Sequence, residues 1–329
     1  MKKISWKKLI SSREMSLLIV FIILCTLIQI RNSKFLTWGN ISDLLTNASM
    51  MSILAVGMMC VLLIGGIDIS IGSTVAFSGM AVALMLRSNP QIPTLLSFIL
   101  GTLVGTILGF IIGLIIGKGK VMPIIATMGL MYAYRGATYL IAKNQWVPSY
   151  QLPDGLKRFA TGKLLGINNM VVVAIVIYII FAYFIRYTRT GRRIYAVGSN
   201  PEAAQISGIN IDNIKIIVYS IMGGLSGLVG ILWLSKYASA QGDAAQGFEI
   251  DIIAACVIGG VSLSGGKGTV TGVILGVLTL GVLNNALPLI NISPFWQDAI
   301  KGLVILLAII INTMTQRSIH KNNLKRRVI

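Results

Sequence analysis

Residues 97–117 read SFILGTLVGTILGFIIGLIIG, an uncharged run with glycine at every fourth place from Gly101 to Gly117. About 20 such residues in a helix cross the roughly 30 Å hydrocarbon core of a bilayer. The run is continuous rather than alternating, which argues against a membrane β-barrel strand. Comparable apolar stretches lie at about 15–30, 46–64, 70–86, 94–116, 122–142, 169–185, 214–234, 251–261, 270–290 and 295–314. The one at 251–261 is short for a full crossing, so it is either a half-helix or a helix that starts earlier. The 329-residue chain is 55 % hydrophobic and only 12 % charged, against about 25 % charged in soluble domains. In water such a chain would expose large apolar patches, and it is far too apolar for disorder. The expected fold is all-α: a polytopic membrane protein of about ten transmembrane helices, forming one domain over residues 1–329.

The net charge of +18 comes from 28 Lys and Arg against 10 Asp and Glu. With the N-terminus inside, the inner segments hold 18 of the basic residues and the outer ones 8, with Arg135 and Lys301 inside spans. That bias places both termini in the cytoplasm and accounts for the charge without nucleic acid. The N-terminal apolar run has no small-x-small cleavage site, so it reads as an uncleaved first span. Cys25, Cys60 and Cys256 are far apart in apolar runs, and the one histidine, His320, lies in the basic tail. A disulfide framework, a zinc or haem site and histidine-dependent catalysis therefore have nothing to build on.

Glycines at Gly101, Gly105, Gly109, Gly113 and Gly117 form a smooth ridge that drifts by about 160° around the helix. Gly223 with Gly227, and Gly272 with Gly276, repeat the device. Such ridges let helices approach closely, either inside one subunit or between two.

Two glycine-rich segments interrupt the apolar pattern: GGIDISIGS at 65–73 and GGVSLSGGKGT at 259–269. Aligned on the double glycine they share Gly-Gly-x-polar-aliphatic-Ser-x-Gly at an offset of 194 residues. Paired interruptions in two halves of a transporter point to the transport path. Asp68 is the carboxylate of the first break. It is expected either to cap the helix that follows or, with Ser70, to contribute to the path. The second break falls short of a phosphate-binding GxxxxGK[ST] loop, because Val261 and Gly268 stand where Gly and Ser or Thr are needed. No ATP site of its own, and no other cofactor, is expected.

The loop at about 186–213 carries Asn200, a good helix N-cap, then Pro201 at the first helical position and Glu202 at the positive helix end. Gly208 is a natural stop. Residues 201–207 should form about two turns of helix, too short and polar to cross the bilayer. It is either a plain linker or a docking element for a cytoplasmic partner. Ala203 and Ala204 are small enough to let it sit in a partner's groove.

With these residues in view, the chain resembles a known family. The segments GGIDISIGS, GRRIYAVGSNPEAAQISGI (191–209) and GGVSLSGGKGT are similar to those of ribose/xylose-type permeases of ATP-binding-cassette importers. Polyol and autoinducer permeases belong to the same family. The resemblance implies a channel of two permease subunits, alike or different, in the bacterial cytoplasmic membrane. It also implies a cytoplasmic ATPase that uses the ATP and an extracytoplasmic substrate-binding protein. The ATPase-coupling helix of that family maps onto Asn200, Pro201, Glu202, Ala203, Ala204, Ser207 and Gly208.

Tyr132, Arg135 and Tyr139 share one helical face. A tyrosine ring can lie against a sugar's C–H face and a guanidinium can donate to its hydroxyls, although Arg135 could equally pair structurally. Asn284 and Asn285 suit a neutral polyol or a helix–helix tie. The segment with Asp243, Glu249 and Asp251 is either a receiver for a binding protein's basic residues or a plain solvated loop. An ion-coupled secondary transporter is the alternative function, and it would need a titrating acid such as Asp68 or Asp298. An intramembrane enzyme lacks a nucleophile–base or metal-ligand cluster.

Overall fold

The computed structural model describes residues 13–293 together with 295–297, 299, 300, 302, 303, 306 and 310. Both termini and much of the expected span at 295–314, Asp298 included, lie outside the described residues. In order come α1 (Arg13–Arg31), α2 (Trp38–Leu63), α3 (Ile71–Ser88), α4 (Thr94–Gly117), α5 (Pro123–Ile141) and α6 (Asp154–Thr161). Then follow α7 (Asn169–Tyr187), α8 (Arg189–Ser199), α9 (Pro201–Ile206), α10 (Ile211–Tyr237), α11 (Phe248–Ile258) and α12 (Val270–Leu289). The described residues contain one short antiparallel hairpin, β1 (Lys163–Leu164) with β2 (Ile167–Asn168).

Six of these helices are long and apolar enough to cross a membrane: α2, α3, α4, α7, α10 and α12. α5 has the length but carries Arg135 and three tyrosines, and it is not among the six. The stretch expected at 251–261 is α11, which starts earlier, at Phe248, and has only 11 residues. At 1.5 Å per residue it spans about 16 Å, half of the hydrocarbon core. The long loop after α5 holds the short helix α6 and the hairpin.

α2 is the central pillar. Its residues from Ile53 to Leu63 are fully enclosed, as expected of a helix that is apolar on every side. Around it pack α7, α10, α11 and α12.

α10 is the second hub, and glycine makes it one. The α4 ridge lies against it in antiparallel order. A Cβ on Gly105 would overlap the Gly223 carbonyl, one on Gly109 the Tyr219 carbonyl, and one on Gly113 would lie 2.7 Å from Ile216 Cα. The reverse holds as well, since Gly223 and Gly227 have no room for a Cβ against Gly105 and Gly101. One turn further along α10, Gly230 meets α3 at Gly79. The ridge is thus used within the subunit. Gly272 and Gly276 work in the same way, with Gly259 and Ala255 filling the space their side chains would need.

Gly105→Val should therefore destabilise the isolated chain by about 1–3 kcal/mol through overpacking. The readout is a lower melting temperature in detergent. Gly136→Ala, where nothing lies within 4 Å of the new methyl, should leave it unchanged. Equal melting temperatures for both variants would refute a close α4–α10 contact.

Candidate functional site

Both breaks end their preceding helix in the same way. After α2, Gly65 takes a left-handed φ of 73°, its N–H donates to the Leu62 carbonyl and that of Gly66 donates to Val61. After α11, Gly260 has φ 91°, its N–H donates to Val257 and that of Val261 donates to Cys256. Each is a six-residue Schellman closure. The residue that must turn left-handed sets the frame, so Gly65 corresponds to Gly260 rather than to Gly259. The alignment on the double glycine is therefore corrected by one residue. Beyond that point the breaks diverge. The first enters α3 at Ile71, while the second makes a further loop, Ser262 N–H donating to Lys267, before α12.

Asp68 is 2 % exposed, and one carboxylate oxygen accepts both the Ser70 N–H (2.9 Å) and the Ser70 hydroxyl (2.6 Å). The N-cap position of α3 is Ser70 itself, with no side-chain cap bond. Asp68 instead holds the turn just upstream, which corrects the simple capping picture. Ser70 in turn accepts at its carbonyl from the Ser73 and Thr74 hydroxyls. The break is fixed from α10 as well, since Tyr219 Oη donates to the Ile67 carbonyl at 3.3 Å.

Segment 188–213 is cut into helices by side-chain caps. Thr188 accepts from Gly191 N–H, Asn200 from Ala203 N–H and Asn210 from Asn213 N–H, each at 3.0 Å. α9 ends at Ile206, and Gly208 has φ 79°. Pro201, Glu202, Ala203 and Ser207 are exposed, but Ala204 is 4 % exposed and packs into this chain. The reading of both alanines as the face offered outward is corrected to Ala203 with Ile206, which is 88 % exposed. The same segment also forms α8, opened by the Thr188 cap and turning Ile194 and Val197 into the protein. A cavity of about 570 Å³ lies beside α9, lined by Gln205, Asp212 and Lys215 among others. At its edge Lys120 pairs with Asp212 and ties the end of α4 to the start of α10.

The other polar residues fall into separate groups. Arg135 donates through Nη1 to the carbonyls of Gly242 and Ala244, both at 2.8 Å, and the Tyr139 ring covers Gly242. These two secure the segment after α10, which carries Asp243, while Glu249 reaches Gly72 of α3. Tyr132 is 70 % exposed on the open face of α5, beside Gly129, Ala133 and Gly136. Asn285 exchanges two amide hydrogen bonds with Asn40 of α2, at 2.9 and 3.0 Å. Asn284 lines a cavity of about 200 Å³ with Asn47, Trp233, Lys236, Tyr237 and Phe248, a grouping from four helices that no sequence spacing reveals. Among the described residues no group of three His, Cys, Asp or Glu could hold a metal ion.

The Asp68 geometry makes a prediction. Asn retains an acceptor oxygen for Ser70, so Asp68→Asn should keep assembly and transport near wild type. Asp68→Ala leaves buried donors unpaired and should cost about 1–3 kcal/mol, read as a lower melting temperature. A stable Asp68→Asn protein without transport would instead mark the charge as required.

A family described as branched-chain amino acid transport system / permease component matches residues 40–309. The chain is 41 % identical to "Ribose import permease protein RbsC" of Bacillus subtilis (strain 168), covering 88 % of this chain and 89 % of that protein. It is 37 % identical to the protein of the same name in Escherichia coli (strain K12), over 92 % and 94 %. It is also 32 % identical to "L-arabinose ABC transporter permease protein AraH" of Azospirillum brasilense, over 89 % and 86 %. No solved structure matches. With a family match across most of its length and helices able to cross a membrane, the chain belongs to this family of transport-system permease components.

Proposed function

We propose that this chain is the transmembrane permease subunit of an ATP-binding-cassette importer that brings a sugar or sugar-like small molecule into a bacterial cytoplasm. The names of its relatives, ribose and L-arabinose permeases, support the substrate class. ATP is bound and hydrolysed by a separate cytoplasmic partner, in keeping with the missing phosphate-binding loop. An extracytoplasmic binding protein delivers the solute at the end of the molecule that carries Asp243 and Glu249. A second permease subunit faces the open side of α5, where the small Gly129, Ala133 and Gly136 lie beside the exposed Ile125, Tyr132 and Leu140 and let another helix approach closely. About ten crossings with both termini inside complete the reading.

One observation carries it. α9 is too short to cross the bilayer, is anchored to its own chain by Ala204, and presents Ile206 away from it. An isolated apolar side chain on a capped, exposed turn suits a partner's groove. Ile206→Asp should keep normal membrane levels and remove the ATPase from pull-downs. Wild-type capture by this variant would refute docking through α9.

The energy source gives a second test. The purified chain in proteoliposomes should neither hydrolyse ATP nor accumulate sugar. Uptake should need added ATPase and binding protein and should survive proton and sodium ionophores. Accumulation by the chain alone, driven by an ion gradient, would replace this reading with a secondary transporter.

A further inference from the structure

The end of α8 is wedged between the two membrane breaks. The Leu63 carbonyl, the last of α2, accepts the N–H of Gly266 in the second break at 2.9 Å, so the breaks are bonded directly to each other. Gly198 of α8 lies on that bond. A Cβ there would overlap the Leu63 carbonyl and come within 2.7 Å of Gly266 N. Contacts from the other side are as close. A Cβ on Gly265 would be 2.9 Å from the Gly198 carbonyl and 3.1 Å from Gly65 N, and one on Gly266 would be 2.7 Å from Ser199 Oγ. One turn earlier, Tyr195 Oη donates to the Gly268 carbonyl at 2.6 Å. Burial raises the Tyr195 phenol above its ordinary value, so it stays a donor at physiological pH. Ile194 and Val197 of α8 are enclosed as well.

We propose that Gly198 and Tyr195 are positioning residues for transport, which pass the movement of α9 to both breaks at once. This rests on the reading of α9 as the ATPase-docking helix. Only Ser199 and Asn200 separate Gly198 from α9, and Asn200 is bonded to both helices, donating to the Ala196 carbonyl and accepting from Ala203 N–H. A displacement of α9 therefore reaches the Leu63–Gly266 bond without slack. From there it divides. One branch follows Gly65 to Ser70 into α3, which packs on α5 and α10, and the other passes Gly268 into α12. Glycine at 198 is required because any side chain would separate the breaks from α8 and open the link. Tyr195 fixes the distance between α8 and the second break.

The test uses the assembled importer in proteoliposomes, with the ATPase and binding protein that co-purify with this chain. The probe is radiolabelled ribose, xylose or arabinose, whichever the wild type imports. Gly198→Ala and Tyr195→Phe are compared for ATPase capture, melting temperature and sugar imported per ATP hydrolysed. Tyr195→Phe should keep capture and lower the melting temperature only slightly, because the half-buried Gly268 carbonyl can turn to water, while sugar per ATP falls about fivefold, the weight of one neutral hydrogen bond. Gly198→Ala should lower the ratio further. A wild-type ratio in both variants overturns the proposal, as does a fall that only tracks lost assembly. If Gly198→Ala does not assemble, Tyr195→Phe decides alone. Failure of the wild-type chain to capture an ATPase would instead overturn the docking reading, and this link with it.

Discussion

Every backbone N–H and carbonyl at membrane depth must find its partner inside the protein, because hydrocarbon offers none. Among the described residues two glycine-rich breaks interrupt the helices, and many of their backbone groups find partners within the protein. The Schellman closures at Gly65 and Gly260 return the last N–H groups to their own helices. The Leu63 carbonyl is then satisfied by the other break, through Gly266. Asp68 takes the Ser70 N–H and hydroxyl, and Tyr219 donates to Ile67. The Leu63–Gly266 bond thus ties the two breaks, about 200 residues apart in sequence, to one point.

Close packing is the second consequence. Without a hydrophobic force between helices in lipid, contact energy comes from how near two backbones can come. Glycine ridges on α4 and α10 reduce that distance until carbonyl oxygens fill the space a methyl would take. The same economy holds at Gly259 against Gly272, and at Gly198 against Leu63. α10 carries glycine on the faces that meet α4 and α3, so it joins the ridge helix to the helix that follows the first break. A rigid core of this kind transmits a push at one end rather than absorbing it.

Polarity is distributed to fit. The spans that meet lipid are apolar, while α5 mixes Arg135 and tyrosines with small residues and turns Tyr132 outward. Arg135 spends its hydrogen bonds on backbone carbonyls of the segment after α10, so it fastens one end of the molecule. Asn285 and Asn40 fasten α12 to α2 by paired amides.

Membrane class, the positions of most spans, the α9 cap at Asn200 and the stop at Gly208 were legible in the sequence. Each depends on hydropathy or on hydrogen bonds that close within about five residues, and such signals are local. The family resemblance rested on three ordered motifs, and it named the transport class but no contact. Tertiary structure decided the rest. It set Gly65 against Gly260, because one left-handed residue in each pair defines the turn. It turned Ala204 inward and Ile206 outward, because α9 rests on its own chain. It placed Leu63, Gly198 and Gly266 together and gathered Asn47, Trp233 and Asn284 around one cavity. Residues from separate helices meet only when the whole bundle has packed, and no spacing along the chain encodes that meeting.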